Sequence, residues 1–150
     1  MRIVIQRVRQ ASVEVDGCQV SAIGAGLMVL VGVENGDTDD DARWLADKTS
    51  ALRIFPDENG VMNRSLKDVG GEVLSVSQFT LTASTRKGNR PSYIRAAVHE
   101  EAIRLYEAYS RMVGERSGCP VRMGVFGADM KVGLVNDGPV TIIIDSRLRE

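Results

Sequence analysis

Ser75-Val76-Ser77-Gln78-Phe79-Thr80-Leu81 packs three hydroxyls and a carboxamide into seven residues, and Thr82 follows. Groups of this kind hold polar substrates. Backbone N–H groups where such a segment ends can also stabilise a carbonyl oxygen as it gains negative charge. One donor of that sort is worth about 2.7–4 kcal/mol in the transition state. Any single Ser or Thr in a strand is ordinary, and it is the density between apolar runs that singles this stretch out. Read as one half-buried strand from Val73 to Leu81, it places Ser75, Ser77, Phe79 and Leu81 on one face. Gln78, Thr80 and Thr82 then lie on the other.

The second stretch is Val135-Asn136-Asp137-Gly138-Pro139-Val140-Thr141. Proline lacks an amide hydrogen and has a fixed φ. The glycine before it has no Cβ and reaches backbone angles closed to other residues. An X-Pro bond is also where a cis peptide is cheap, about 0.5–1 kcal/mol above trans. Between two core-type strands, Leu134-Val135 and Val140 to Ile144, this predicts a stiff corner that presents backbone carbonyls. It reads either as an ordinary β-turn or as a rigid surface for recognising shape.

Other chemistries lack their residues. The one histidine, His99, opens a helix, and a lone histidine there suits a surface or capping role. Zinc catalysis would need further His or paired Cys ligands. There is no Gly-x-Ser-x-Gly elbow and no phosphate loop. Asp37-Thr38-Asp39-Asp40-Asp41 could hold a metal, but Thr38 with Asp41 fits a capping box and the carboxylates suit a helix start. No metal or cofactor is expected. Between Glu72 and Glu100 there is no acid, while Arg86, Lys87, Arg90 and Arg95 fall there. The loop Ser84 to Arg90 can therefore be a solvated surface loop or a phosphate grip.

The elements that must position these groups follow from pattern. Arg2 to Val8 alternates as a strand, and Ala11 to Val15 and Gln19 to Ile23 flank Asp16-Gly17, a hairpin signal. Leu27 to Val33 is apolar on both faces and reads as a buried central strand. A helix runs from about Thr38 to Leu52, with Trp44 on it as a packing residue. Arg53 to Phe55 reads as a short strand, Pro56 to Gly60 as a turn, and Gly70-Gly71 as a break. Val98, Ala102, Leu105, Tyr109 and Met112 form one helical stripe. Val121 to Val125, Lys131 to Val135 and Val140 to Asp145 are strands. The expected class is α+β: a mostly antiparallel or mixed β-sheet curled toward a barrel, with two main helices. At 150 residues one domain over 1–150 is expected.

Net charge is −1, which argues against coating nucleic acid by charge alone. Cys18 and Cys119 read as free thiols of a reducing compartment. No apolar run approaches the ~20 residues of a membrane span. A cytoplasmic protein with neither membrane nor DNA as partner is expected.

Ser77-Gln78-Phe79-Thr80 and Asn136-Asp137-Gly138-Pro139-Val140-Thr141 resemble the two signatures of D-aminoacyl-tRNA deacylases, also called D-tyrosyl-tRNA deacylases. The resemblance covers nearly the whole chain. It includes Gln6-Arg7-Val8 with Ala11-Ser12-Val13, Gly24-Ala25-Gly26-Leu27, Arg53-Ile54-Phe55, Arg90-Pro91-Ser92 and Ala128-Asp129-Met130. Tyr93 stands where that family often has Phe, and Ser146 to Glu150 extend past its usual end and receive no role.

The resemblance implies a homodimeric hydrolase of translation quality control. It would cleave the ester of D-aminoacyl-tRNA, and of glycyl-tRNA mischarged on the alanine tRNA, at the 3′-terminal adenosine. Gly138 and Pro139, joined by a cis bond, would enter the partner's site as a chirality filter whose carbonyls occupy the space an L side chain needs. Arg7 would fix the corner across the interface. Ser77, Gln78, Phe79 and Thr80 would form the catalytic pocket, and Phe126 and Met130 its wall. Arg86, Lys87 and Arg90 are assigned to tRNA phosphates. Thr80 would act either as a nucleophile or as a bystander to attack by water, with the neighbouring ribose hydroxyl assisting and amides near Phe79 and Thr80 holding the oxyanion. Two rivals remain on residues alone: a non-catalytic RNA-binding module, and an esterase or peptidase using Ser77 or Thr80 with His99.

Overall fold

The computed structural model describes residues 1–150. One long strand, β1 (Arg2–Val15), supports everything else. Its first half pairs antiparallel with β3 (Gly26–Gly32) and its second half with β2 (Cys18–Ile23), through a turn at Asp16-Gly17 with both φ positive. Its other edge pairs antiparallel with β8 (Lys131–Asp145) along nearly the full length. β3 continues in parallel to β6 (Glu72–Ser77), and β6 to β7 (Val121–Met123). The sheet curls until β7 faces β2. No ladder joins them, but the Ser21 hydroxyl donates to the Met123 carbonyl at 2.5 Å. The result is the expected α+β class, a mixed sheet nearly closed into a barrel. A separate small ribbon pairs β4 (Phe55–Pro56) with β5 (Met62–Arg64).

Two cores follow from alternation in the strands. Ile3, Ile5, Leu27, Val29 and Val31 face the helices α1 (Asp39–Ala51) and α3 (His99–Ser117) and pack on Leu45, Leu105 and Tyr109. Val8, Ala11, Val13, Met28, Leu74 and Val76 fill the inside of the curl. β3 and β6 are thus buried on both faces, as their unbroken apolar runs require. Burying each large side chain stabilises the fold by about 1.5–3 kcal/mol.

α1 starts as read: the Thr38 N–H donates to the Asp41 carboxylate at 2.8 Å, half of a capping box. Trp44 packs against the core, with Arg149 across its ring at 4.6 Å. In α3, Leu105 and Tyr109 of the stripe are fully buried, but Val98 is the helix cap and lies exposed. A one-turn helix α2 (Leu66–Val69), capped by Ser65 and closed by Gly70, has no counterpart in the pattern reading. It is too short to show a period.

Three boundaries shift. The strand expected over Arg53 to Phe55 lies at Phe55–Pro56, and that over Val121 to Val125 stops at Met123. The strand expected to Leu81 ends at Ser77. β6 runs out of partner there, since its register with β3 ends at Val31 opposite Ser77.

Ser146 to Glu150 do have a place. Ser146 is buried, Arg147 reaches Asp37 at 2.8 Å, and Arg149 covers Trp44. Next to them, Asp145 accepts from Arg2 at 2.8 and 3.0 Å and from the Arg147 N–H at 2.9 Å. Partial burial acts to raise the Asp145 carboxyl, but the Arg147 N–H and the Arg2 guanidinium outweigh it and hold the group below the ordinary carboxylate range. A depressed folded value means the stabilisation is present above the unfolded value near ~3.9 and is lost as pH falls through the folded one. Asp145→Asn is therefore expected to be less stable than wild type in urea at about pH 6, with the difference shrinking as pH falls below the ordinary carboxylate range.

Candidate active site

The site is built where β6 ends. The Gln78 N–H donates to the Val31 carbonyl at 2.7 Å, the last bond of the parallel pairing. The chain then winds into a single 3-10 turn over Phe79–Thr82. Leu81 N–H donates to Gln78 O at 3.2 Å, Ala83 N–H to Thr80 O at 3.1 Å, and the Thr82 hydroxyl to Phe79 O at 2.8 Å. The turn folds back onto Gly32, where a Cβ would stand 2.9 Å from Leu81 Cβ and 3.1 Å from Gln78 O. Only glycine lets strand and turn approach that closely. The faces expected from a continuous strand are replaced by this turn, which leaves the leading N–H groups of Phe79 and Thr80 with no acceptor inside it.

Beside the turn opens a cavity of about 280 Å³. Ser77, Gln78, Phe79, Phe126 and Met130 all line it, on a mostly apolar wall. Phe126 is set edge-on to His99 at 5.1 Å and tilted on Tyr106 at 5.7 Å. The Tyr106 hydroxyl donates to the Ser75 carbonyl at 2.8 Å. Burial pushes its phenol up to about 12, so it stays a neutral donor. Ser75 itself is fully buried and bonded to Ser110 at 2.8 Å, a packing residue rather than part of the cavity wall.

Thr80 does not line this cavity. Its hydroxyl accepts from the Gln78 carboxamide at 2.5 Å, and the residue lines a neighbouring groove of about 660 Å³ with Trp44, Leu81 and Ile142 to Ile144. Phe79 is 58 % exposed with Tyr93 edge-on at 5.0 Å. Tyr106 is the neighbour that residue reading missed, and Tyr93 and Asp129 entered it only through the resemblance, without a role. Tyr106 shows in the sequence only as part of a core helix. No group of three His, Cys, Asp or Glu side chains converges as a metal site would require.

Gly138 and Pro139 are elsewhere. Val135 and Thr141 both pair with β1, opposite Gln10 and Gln6, so the stretch is an outward bulge within one strand and not a turn between two. Its peptide bond is cis. Asn136 spans the bulge: its Oδ1 accepts from the Val140 N–H at 2.8 Å, and its Nδ2 donates to Val140 O at 3.2 Å. Arg7 holds it from within the same chain, donating to Asp137 O at 2.8 Å and Ile54 O at 2.5 Å. Arg7 pairs opposite Leu27, and the cavity opens beside Val31. Four residues of strand separate them, about 13 Å. Arg86, Lys87 and Arg90 lie exposed on the loop pinned by the Ser84–Ser92 pair (2.8 and 2.9 Å), and none forms an ion pair.

The family described as D-Tyr-tRNA(Tyr) deacylase matches residues 4–145. The chain belongs to this deacylase family. A D-aminoacyl-tRNA deacylase of Parabacteroides distasonis is 60 % identical over 150 residues, the whole of both chains, Ser146 to Glu150 included. One of Akkermansia muciniphila is 57 % identical over the same span. A solved structure described as c-Myc DNA Unwinding Element Binding Protein superposes with a TM-score of 0.90 at 40 % identity, covering 97 % of this chain and 98 % of that one. A probable eukaryotic D-amino acid tRNA deacylase shares the fold at a TM-score of 0.79 and 19 % identity, covering 95 % and 97 %. The cavity with its turn and the cis Gly-Pro bulge lie on the two stretches, Ser77 to Thr80 and Asn136 to Thr141, on which the resemblance rests.

Proposed function

We propose that the chain, as one domain over 1–150, hydrolyses the ester of D-aminoacyl-tRNA and spares the L ester. The observation that carries this reading is the pairing of two features. One is a cavity ended by two uncommitted amides. The other is a rigid backbone bulge too far away to serve that cavity within one chain. A second copy supplies the missing approach. In a homodimer the Gly138-Pro139 bulge of one subunit reaches the cavity of the other, where its carbonyls exclude an L side chain and tolerate a D one. Glycine, with no side chain, passes the same filter, so glycyl-tRNA is also a substrate. Ser77 and Gln78 hold the terminal adenosine and ester, with Phe126 and Met130 as the wall. Phe79 and Thr80 N–H groups meet the developing oxyanion. Such an enzyme works in the cytoplasm on charged tRNA as translation quality control and needs no metal.

The deciding experiment compares hydrolysis of D-Tyr-tRNA and L-Tyr-tRNA by the purified protein, with and without chelator. Loss of the D ester alone, unaffected by chelator, is expected. Equal loss of both would remove the filter, and loss of neither would leave an RNA-binding module. Arg86, Lys87 and Arg90 act on tRNA phosphates. Changing all three to alanine is expected to raise KM and to flatten the dependence of log KM on log salt by about two to three units. The D-to-L ratio is expected to stay unchanged, because loop charges do not touch the amino acid.

A further inference from the structure

The carbonyl ends of the 3-10 turn raise a question the proposed chemistry leaves open: what stops so short a turn from shifting. The Leu81 carbonyl accepts from Arg2 Nη1 at 3.0 Å. The Thr82 carbonyl accepts from Arg95 Nε and Nη2 at 3.2 and 3.1 Å. Each arginine is backed by an acid. Asp145 takes Arg2 at 2.8 Å, and Glu34, almost fully buried, stands 3.6 Å from Arg95. Arg147 joins the two halves. Its N–H donates to Asp145 at 2.9 Å, while its guanidinium stands 3.5 Å from Glu34. With Phe79 O and Thr80 O already bonded inside the segment, all four carbonyls of the turn are held. Its backbone groups left without a partner are then the leading N–H groups of Phe79 and Thr80.

We propose that Arg2 and Arg95 are positioning residues that clamp the site turn through its Leu81 and Thr82 carbonyls, and that Arg147 couples them. The proposal rests on the deacylase reading for its catalytic consequence only. Guanidinium is suited to the task, because its fixed fork of donors meets a carbonyl and a carboxylate at once. Releasing the turn moves the Phe79 and Thr80 amides off the ester. Misplacement of about 1 Å is enough to cost 10²-fold in rate.

The test uses the full-length protein, Arg95→Ala and Arg2→Ala, with Arg95→Lys as the conservative variant. Two quantities are measured: amide hydrogen exchange in the peptide spanning Gln78 to Ala83, and kcat and KM on preformed D-Tyr-tRNA. Expected are faster exchange confined to that peptide, kcat lowered about 10- to 100-fold with KM little changed, and partial recovery in Arg95→Lys. Arg95 is 46 % exposed, so its variant gives the readout should Arg2→Ala fail to fold. Unchanged exchange overturns the clamp, and a fall in kcat without it means that Arg95 acts on the substrate directly. Faster exchange with normal kcat also overturns it, since the turn's position then does not matter. A wild-type protein inactive on D-Tyr-tRNA defeats the deacylase reading instead, and exchange then decides the clamp alone.

Discussion

Gly138→Ala is expected to lower the preference for D-Tyr-tRNA over L-Tyr-tRNA by at least about tenfold, equivalent to about 1.4 kcal/mol of discrimination. Gly138 has φ +142°, a region that residues with a Cβ rarely adopt. An added Cβ would stand 2.8 Å from Val140 Cγ2 and 3.0 Å from Arg7 Nη2. Neither neighbour can give. Val140 is β-branched, and Asn136 fixes its backbone at 2.8 Å. Arg7 is tied to Asp137 O and Ile54 O. The bulge itself must move, at a cost of order 1–3 kcal/mol, and the carbonyls proposed to exclude the L side chain move with it. Initial rates on both esters, together with the urea midpoint, check this. A lower midpoint with discrimination intact would return the bulge to an ordinary structural role in β8.

The bulge also marks how far residue types could be read. Gly138-Pro139 announces a stiff irregularity in any context. That it interrupts one strand opposite Arg7, instead of joining two, depends on β1 pairing with both flanks, and no local pattern encodes that pairing. Arg7, expected to fix the corner across an interface, bonds to Asp137 O within its own chain. Ser77, Gln78 and Thr80 stand out in the sequence as a polar cluster because apolar runs flank it. The turn that ends it does not, because it is set by where β3 stops and by Gly32 making room. Tyr106 reads as one more core residue of a helix, since its place over Phe126 depends on the loop between β7 and β8. Periodic elements such as β3, α1 and most of α3 came through because burial on their faces agrees with their own spacing. The tail had no period at all. Its role comes from charges at Arg147 and Arg149 finding Glu34, Asp37 and Trp44, more than a hundred residues earlier.

Removing the 2′-hydroxyl from the terminal ribose of the tRNA is expected to slow hydrolysis about 10²–10⁴-fold, the range of a positioned acid–base group. Thr80→Ala, by contrast, is expected to cost less than about tenfold. A nucleophilic threonine needs a base within hydrogen-bond reach. The one partner of Thr80 Oγ1 on its own strand end is the Gln78 carboxamide at 2.5 Å, whose NH₂ donates and cannot take a proton. His99 is set edge-on to Phe126 and makes no hydrogen bond to Thr80. The Tyr106 phenol, pushed up to about 12, is neutral and spends its proton on Ser75 O. The one carboxylate on the cavity wall, Asp129, is paired with Lys131 at 2.8 Å and makes no hydrogen bond to Thr80, whereas the ester brings a hydroxyl on the adjacent carbon. With the carbonyl held as proposed by the Phe79 and Thr80 amides, that hydroxyl is the group placed to orient an attacking water, and positioning would supply much of the rate. The measurement is single-turnover hydrolysis of D-Tyr-tRNA ending in adenosine or 2′-deoxyadenosine, by wild type and Thr80→Ala. A large loss in Thr80→Ala with a small effect of the deoxy substitution, or an acyl group trapped on Thr80, would reverse the assignment and make the threonine the nucleophile.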